Sequence, residues 1–131
     1  MPRIKFLFIL FLFTQCESKW EHPPAGFYKG TFMRSNALAY SPYYHSARVT
    51  LTLNGDHFSG TSEESLYPAI CRGTFRIVGD NIIFRDECVW TADIDSTLVL
   101  NGVYQFMRTP TTLTIFRSKW PLSDMYQLSL P

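Results

Sequence analysis

Cys16 is the residue whose position most directly suggests a chemical role. It follows closely after an uninterrupted apolar run, residues 6–13, and the positive charges of Arg3 and Lys5 precede that run. A charged start followed by an apolar run of this length is typical of a secretory signal and is too short to span a bilayer. The cysteine after the run predicts a bacterial lipoprotein signal, in which the Cys16 sulfur accepts a diacylglycerol and the residue becomes the mature N-terminus. Two alternatives stay open: a plainly secreted protein, and a buried strand or helix.

The other two cysteines, Cys71 and Cys88, are predicted to form a disulfide. Gly79-Asp80 lies between them, and a two-residue hairpin loop there places Val78 opposite Asn81. Counting outward along both strands from this pair brings Cys71 opposite Cys88. The pair falls on a non-hydrogen-bonded position with Cα atoms about 4.5 Å apart, which a disulfide accepts. An exported protein also works in an oxidising compartment, where such a bridge persists.

Carboxylates are concentrated in one segment, but their pattern does not predict catalysis. Asp86, Glu87, Asp93 and Asp95 lie close together in the sequence, and such groups can hold calcium or transfer protons. Their spacing is not that of a calcium loop, and the chain has no phosphate-binding glycine loop or nucleophile–base pattern. We therefore expect no catalytic residue, no metal site, no cofactor and no enzymatic activity.

Asp86 differs from the other three acids because strand alternation points it inward, opposite Gly73. A buried carboxylate requires a partner. Arg34 and Arg117 are the residues predicted to supply it.

The length and charge of the chain indicate a single exported domain. The 131 residues carry a formal net charge of +1, which gives no electrostatic reason to expect nucleic acid as a partner. Residues 1–15 are expected to be a signal peptide, residues 16–25 a lipidated tether, and residues 26–131 the folded domain. The expected location is the bacterial cell envelope, where the lipid-anchored chain would face the periplasm or the cell surface.

The elements that position these residues are predicted to be strands. Aromatic residues make up 16% of the chain, apolar and polar residues alternate with period two, and no segment predicts a helix. Turn residues such as Asn54-Gly55, Gly79-Asp80 and Thr109-Pro110-Thr111 separate the alternating runs. The predicted strands cover residues 26–34, 47–54, 57–63, 69–78, 81–88, 96–107, 112–118 and 123–130. Asn101-Gly102 would mark a bulge or bend in the sixth strand, or else precede a ninth strand that begins at Val103.

Alternation gives the strands one apolar and one polar face. Sequential antiparallel strands with such faces predict an all-β fold, an eight-stranded antiparallel up-and-down barrel, which also leaves no exposed edge. Six aromatic residues on the inner face are predicted to bind a ligand: Tyr28, Phe32, Phe75, Phe84, Tyr104 and Phe106. A barrel of this size holds either packed side chains or one small ligand, so these rings could instead fill the interior.

Two longer connections between strands could carry recognition. Residues 35–46 contain Tyr40, Tyr43 and Tyr44, and residues 89–95 contain Trp90. Aromatic residues in loops are over-represented at binding sites, so these four are candidate interaction residues. The alternative is that the loops fold back as a lid on the barrel.

The start of the domain resembles the lipocalin-like, or calycin, barrels. That group opens its first strand with a Gly-x-aromatic motif that usually carries Trp, and Gly26-Phe27-Tyr28 is similar to it. In the group an arginine near the end of the last strands commonly packs over the aromatic ring, and Arg117 is the candidate here. The segment 71–95 also resembles small lipoproteins of gut-type Bacteroidota with lipocalin-like domains. The resemblance covers roughly residues 26–131 and implies this barrel with a tendency to bind ligands.

Two functions are compatible with these patterns. The first is a membrane-anchored lipocalin-like module that binds a small apolar ligand at the barrel mouth. The second is a protein-interaction module, an inhibitor or an envelope-assembly accessory, that uses loops 35–46 and 89–95. The expected partners are the membrane, through the lipid on Cys16, and either the apolar ligand or an envelope protein, with the chain itself a monomer. A ligand binder should have a lined pocket, and an interaction module should have a filled barrel and an exposed apolar patch.

Overall fold

The computed structural model describes residues 25–39 and 45–131. Cys16, the predicted signal peptide and nearly all of the predicted tether lie outside these residues. Tyr40, Tyr43 and Tyr44 lie outside them as well.

The described residues form a closed barrel of eight antiparallel strands. The strands are β1 (Gly26–Asn36), β2 (His45–Asn54), β3 (His57–Ser62), β4 (Arg72–Val78), β5 (Asn81–Asp86), β6 (Gly102–Arg108), β7 (Thr112–Lys119) and β8 (Leu122–Ser129). Each strand pairs with the next one along the chain, and β1 also pairs with β8, which closes the barrel. The predicted eight-stranded antiparallel up-and-down barrel is confirmed.

Glycine is needed at two kinds of position in this barrel. Gly55 and Gly79 lie in hairpin turns with φ angles of +62° and +59°, a left-handed conformation that glycine adopts without a steric penalty. Gly30 is needed for a different reason, because a Cβ atom there would lie 1.8 Å from the backbone oxygen of Gln127. A larger residue at Gly30 would therefore push β1 away from β8.

The sixth strand begins six residues later than predicted, at Gly102. The residues before it include a short 3-10 helix, Ser96–Leu98. The Asp95 carboxylate accepts hydrogen bonds from the Thr97 backbone N–H at 3.0 Å and from the Thr97 hydroxyl at 2.6 Å, which favours a helical turn over a strand. The alternative start near Val103 is therefore closer to the structure, although it adds no ninth strand.

The barrel has two ends that differ in their connections. The turn end contains the short turns after β2, β4 and β6, together with the start of β1. The mouth end contains the connections after β1, β3, β5 and β7. Of these, residues 63–71 and 87–101 are the longest fully described connections, and we refer to them together as the mouth plug.

Candidate functional site at the barrel mouth

The six aromatic residues predicted to bind a ligand lie in the barrel interior. Tyr28, Phe32, Phe84 and Tyr104 are buried, and Phe75 and Phe106 are half-buried against the same core. Phe84 packs edge to face on Tyr104, with ring centres 5.7 Å apart, and lies 6.3 Å from Phe75 in a tilted arrangement. Tyr104 in turn packs edge to face on Tyr126, with ring centres 6.3 Å apart. Aromatic pairs at such distances stabilise a core beyond the area that they bury. The predicted ligand-binding rings are therefore part of the packed core of the barrel.

Burial changes the acidity of the tyrosines in this core. Loss of hydration raises the pKa of Tyr104 to about 12 and raises the pKa of Tyr126 well above its ordinary value. The positive charge of Arg117 opposes the change at both hydroxyls, but burial has the larger effect. Both tyrosines are therefore neutral at physiological pH and contribute packing rather than charge.

The two connections of the mouth plug pair with each other across the barrel end. Ala69 forms a parallel bridge with Val99. The Ala69 N–H donates to the Leu98 carbonyl oxygen at 3.0 Å, and the Ala69 carbonyl oxygen accepts from the Leu100 N–H at 3.0 Å. Because Ala69, Val99 and Leu100 are buried, the plug covers the core at this end. Residues 69–71, predicted to begin β4, belong to the plug instead, since β4 begins at residue 72.

The disulfide between Cys71 and Cys88 joins the same two connections. The predicted pairing is confirmed, and so is the predicted register of the β4–β5 hairpin that leads to it. The two Cα atoms are 6.3 Å apart, farther than predicted, because both cysteines lie just beyond the ends of their strands. This distance lies within the range of disulfides in proteins.

Removing the disulfide should loosen the plug measurably. We expect the double variant Cys71→Ser, Cys88→Ser to lose about 3 kcal/mol of unfolding free energy, because the bridge closes a loop with a sequence separation of 17. Denaturant titration measures the loss, and wild-type protein under reducing conditions is the control, which should lose a similar amount. A loss below about 1 kcal/mol would contradict a stabilising role for the bridge.

A buried ion pair ties the plug to the barrel wall. The Asp124 carboxylate on β8 is 6% exposed and accepts two hydrogen bonds from Arg34 on β1, at 2.6 and 2.9 Å. Arg34 also donates to the hydroxyl and the carbonyl oxygen of Thr97, both at 2.9 Å. The hydrogen bond with Asp124 raises the pKa of Arg34 above its ordinary value. One guanidinium therefore connects β8 to the helical turn of the plug.

Arg117 on β7 makes a second connection between wall and plug. It donates hydrogen bonds to the backbone oxygens of Asn101 and Thr97, at 2.9 and 3.1 Å. Its guanidinium lies 4.2 Å from the centre of the Tyr104 ring, a favourable cation–π distance. The plug is thus held by two arginines from different strands.

Tyr28, the aromatic residue of the first strand, is influenced by a different arginine than predicted. The resemblance implied that Arg117 packs over Tyr28, and this is wrong, because Arg117 lies over Tyr104 on β6. Burial raises the pKa of Tyr28, and the positive charge that opposes this change is Arg108, the last residue of β6. The positive charge that acts on Tyr28 therefore comes from the turn end of β6.

Asp86 has a tryptophan rather than an arginine as its partner. Its carboxylate accepts a hydrogen bond from the Trp90 indole nitrogen at 2.6 Å. The predicted partners, Arg34 and Arg117, instead lie beside Asp124, at 2.6 and 3.8 Å. Trp90, a candidate interaction residue within the mouth plug, is half-buried, and this bond ties its side chain to the last residue of β5.

Within residues 25–39 and 45–131, each connection at the mouth end exposes one large apolar side chain. These four residues, which we call the rim, are Leu38 (69% exposed), Leu66 (46%), Val89 (98%) and Trp120 (77%). The turns at the opposite end consist of Gly55-Asp56, Gly79-Asp80 and Thr109-Pro110-Thr111. The other large apolar residues exposed in the described part of the chain lie within strands on the outer wall: Phe27, Val78, Val103 and Met107. Apolar exposure in connections is therefore confined to the mouth end of the described structure.

Sequence patterns alone do not select the rim or the ion pair. Leu38 and Val89 lie in the predicted loops 35–46 and 89–95 but are aliphatic, so they lack the aromatic character that marks candidate interaction residues. Trp120 lies in a two-residue turn, and Leu66 follows the polar residues Glu63, Glu64 and Ser65, so neither connection has the pattern of a recognition loop. The ion pair of Asp124 could have been anticipated from strand alternation. Asp124 lies two residues before Tyr126 and so shares its inward face, and a buried carboxylate requires a partner.

No protein-family model matches the chain, and no curated protein or solved structure shows significant similarity to it. By architecture, the described residues form an up-and-down barrel with a disulfide-linked mouth plug and an apolar rim. Within residues 25–39 and 45–131, no helix is long and apolar enough to cross a membrane. In the same residues, no three acidic, histidine or cysteine side chains are grouped as a metal site requires.

Proposed function

We propose that this protein is an envelope-anchored interaction module that binds a protein partner on the rim of its barrel mouth. The observation that carries the proposal is the exposure of Leu38, Leu66, Val89 and Trp120 at one end of the barrel. Single exposed apolar residues need no explanation, but four at the same end are typical of a surface that becomes buried on association. Aromatic residues such as Trp120 are enriched in the centres of such surfaces.

The packing of the interior favours surface binding over an internal ligand. The rings of Phe84 and Tyr104 contact each other, and Ala69 and Leu100 of the plug cover the core. Protein interiors are densely packed, so an apolar ligand could enter only by displacing these side chains. The small apolar ligand therefore becomes the alternative function, and the stability of Phe84 variants separates the two.

The proposed anchor would present the rim to proteins rather than to the membrane. The tether of residues 16–25 leads into β1 at Gly26, which pairs with Leu53 beside the first turn of the turn end. The 11 residues of β1 span about 35 Å between the turn end and the mouth end. A lipid on Cys16 would hold the turn end near the membrane and leave the rim facing away from it.

Site-specific crosslinking in the native envelope tests the proposal. We expect a photoreactive phenylalanine analogue at Val89 or at Leu66 to form an adduct with the same single protein. Trp120→Ala should weaken this capture by about ten-fold or more, as truncation of a central aromatic anchor does. The matched control is the analogue at Val103, which is 54% exposed on the outer wall and should give no such adduct.

Adducts of equal yield from Val103 and from the rim would overturn the proposal. Adducts that Trp120→Ala leaves unchanged would overturn it as well. A small apolar molecule captured in place of a protein would favour the alternative function.

The anchor has its own test. Mass spectrometry of the mature N-terminus should find a diacylglyceryl group on Cys16, and Cys16→Ser should release the protein from the membrane fraction. An unmodified N-terminus that lies beyond Cys16 would contradict lipidation and leave a secreted protein. Absence of the lipid would not affect the crosslinks expected at Val89 and Leu66, because these residues belong to the barrel domain and not to the tether.

A further inference from the structure

A cleft of about 520 Å³ opens at the mouth end beside the rim. Its lining includes Lys119 at the end of β7, Trp120 in the β7–β8 turn, and Thr97 and Asn101 of the mouth plug. Arg34 and Arg117 also line it, with side chains that are 12% and 25% exposed. The cleft is therefore continuous with the apolar surface of Trp120, which belongs to the rim.

The charges that line this cleft favour an anion. Three cationic side chains, Arg34, Arg117 and Lys119, line it together with one carboxylate, Asp124, so its formal charge is +2. Asp95 lies 3.8 Å from Arg34 at the edge, and counting it leaves a charge of +1. The acids therefore do not neutralise the cations of the cleft.

The two arginines are fixed in place, and the lysine is exposed. Arg117 uses its hydrogen bonds on the neutral backbone oxygens of Thr97 and Asn101, which orient the guanidinium without cancelling its charge. The carboxylate of Asp124 is engaged by Arg34 at 2.6 Å and is 3.8 Å from Arg117. The Lys119 side chain lines the cleft and is exposed, so its charge can meet an incoming anion.

We propose that this cleft binds a carboxylate of the protein partner, with the apolar side chain next to that carboxylate packed on Trp120. The inference rests on the proposed function, since it names the chemistry of the segment that the rim recognises. Lys119 is the residue that meets the carboxylate directly, and Arg117 supplies a fixed positive charge behind it. Attraction between exposed charges falls with ionic strength, so binding weakens as salt is added.

A pair of small probes tests the proposal on the purified full-length chain labelled with ¹⁵N. N-acetyl-leucine carries a carboxylate beside an apolar side chain, and N-acetyl-leucinamide has the same shape without the charge. We expect N-acetyl-leucine to shift the amide signals of Thr97, Asn101, Lys119, Trp120 and Leu122, with the neutral amide at least several-fold weaker. Lys119→Gln should weaken N-acetyl-leucine binding by about five-fold, which is the effect of losing one exposed charge contact. Lys29→Gln, an exposed lysine on the wall of β1, is the matched control and should leave binding unchanged.

Equal binding of the two probes, or equal effects of the two lysine variants, would overturn the carboxylate site. Absence of any shift at these amides would overturn it too. Because the probes need no partner, these results are independent of the crosslinking experiment. If crosslinking captures a partner but the two probes bind equally, the carboxylate site is overturned and the proposed function stands. If N-acetyl-leucine binds selectively but crosslinking captures no partner, the carboxylate site stands and the proposed function is overturned.

Discussion

Truncating Phe84 to alanine should lower the free energy of unfolding by about 3–5 kcal/mol, the range found for buried aromatic residues. Phe84 is 2% exposed, and its ring lies 5.1 Å from that of Phe58 and 5.7 Å from that of Tyr104, centre to centre. The substitution would leave a cavity bounded by other rings, which a closed barrel cannot collapse to fill. Denaturant titration gives the difference, and Phe84→Leu, which keeps most of the volume, should lose less than about 1.5 kcal/mol.

Trp120→Ala is the control for this experiment, because Trp120 is an aromatic residue that is 77% exposed. It should change stability by less than about 0.5 kcal/mol. The result separates the two functions: a ring that faces an open cavity already lacks part of its contacts, so its truncation has a smaller effect. Two results together would favour the apolar-ligand function over protein binding on the rim. They are a loss of only about 1 kcal/mol of unfolding free energy in Phe84→Ala, and binding of an environment-sensitive apolar dye by the wild-type protein.

The barrel could be predicted because independent features of the sequence agree on it. In the β4–β5 hairpin, Gly79 permits the turn, and Phe75 and Phe84 pair on one face. The cysteines stand at equal distances on either side, so turn chemistry, alternation and disulfide pairing specify the same register. The same alternation in the other strands leaves each with an apolar face, and closing the sheet buries all of these faces.

The mouth plug could not be predicted by the same means. Leu98 and Leu100 alternate as they would in a strand, and alternation alone does not distinguish a strand from a segment that covers a barrel end. The burial of Leu100 depends on Ala69, which is remote in the sequence and reaches it through the Ala69–Val99 bridge. Only the local hydrogen bond between Asp95 and Thr97 is visible in advance as a helical capping pattern.

The choice of ion-pair partners also depends on the closed barrel. Arg34 and Asp124 are 90 residues apart, and they meet because β1 pairs with β8 in the register that places them opposite each other. The sequence does not distinguish an Arg34–Asp124 pair from an Arg34–Asp86 pair, because Asp86 also occupies an inward position near a strand end. The register between β1 and β8 brings Arg34 to Asp124, and Asp86 accepts a hydrogen bond from Trp90 instead.

Replacing Asp124 by asparagine should have an effect as large as the loss of Phe84, about 3–5 kcal/mol of unfolding free energy. The substitution preserves size and removes the charge, so the Arg34 guanidinium, with its side chain 12% exposed, would lose its buried counterion and keep only Asp95, which is 3.8 Å away and 53% exposed. The effect should concentrate at the mouth end, because Arg34 also holds Thr97. Hydrogen exchange should therefore speed up at the amides of Leu98 and Leu100 more than in the strands of the turn end.

Glu63→Gln is the matched control for the Asp124 variant. Glu63 forms an ion pair with Arg48 at 3.9 Å, but both side chains are mostly exposed, and such pairs contribute about 0–1 kcal/mol. The double variant Arg34→Met, Asp124→Leu should recover much of the loss, because an apolar pair of similar volume removes the buried Arg34 charge together with its counterion. If Asp124→Asn were as mild as Glu63→Gln, the ion pair would not be what holds the plug. The disulfide and the Ala69–Val99 bridge would then be the contacts that keep the mouth closed and the rim in place.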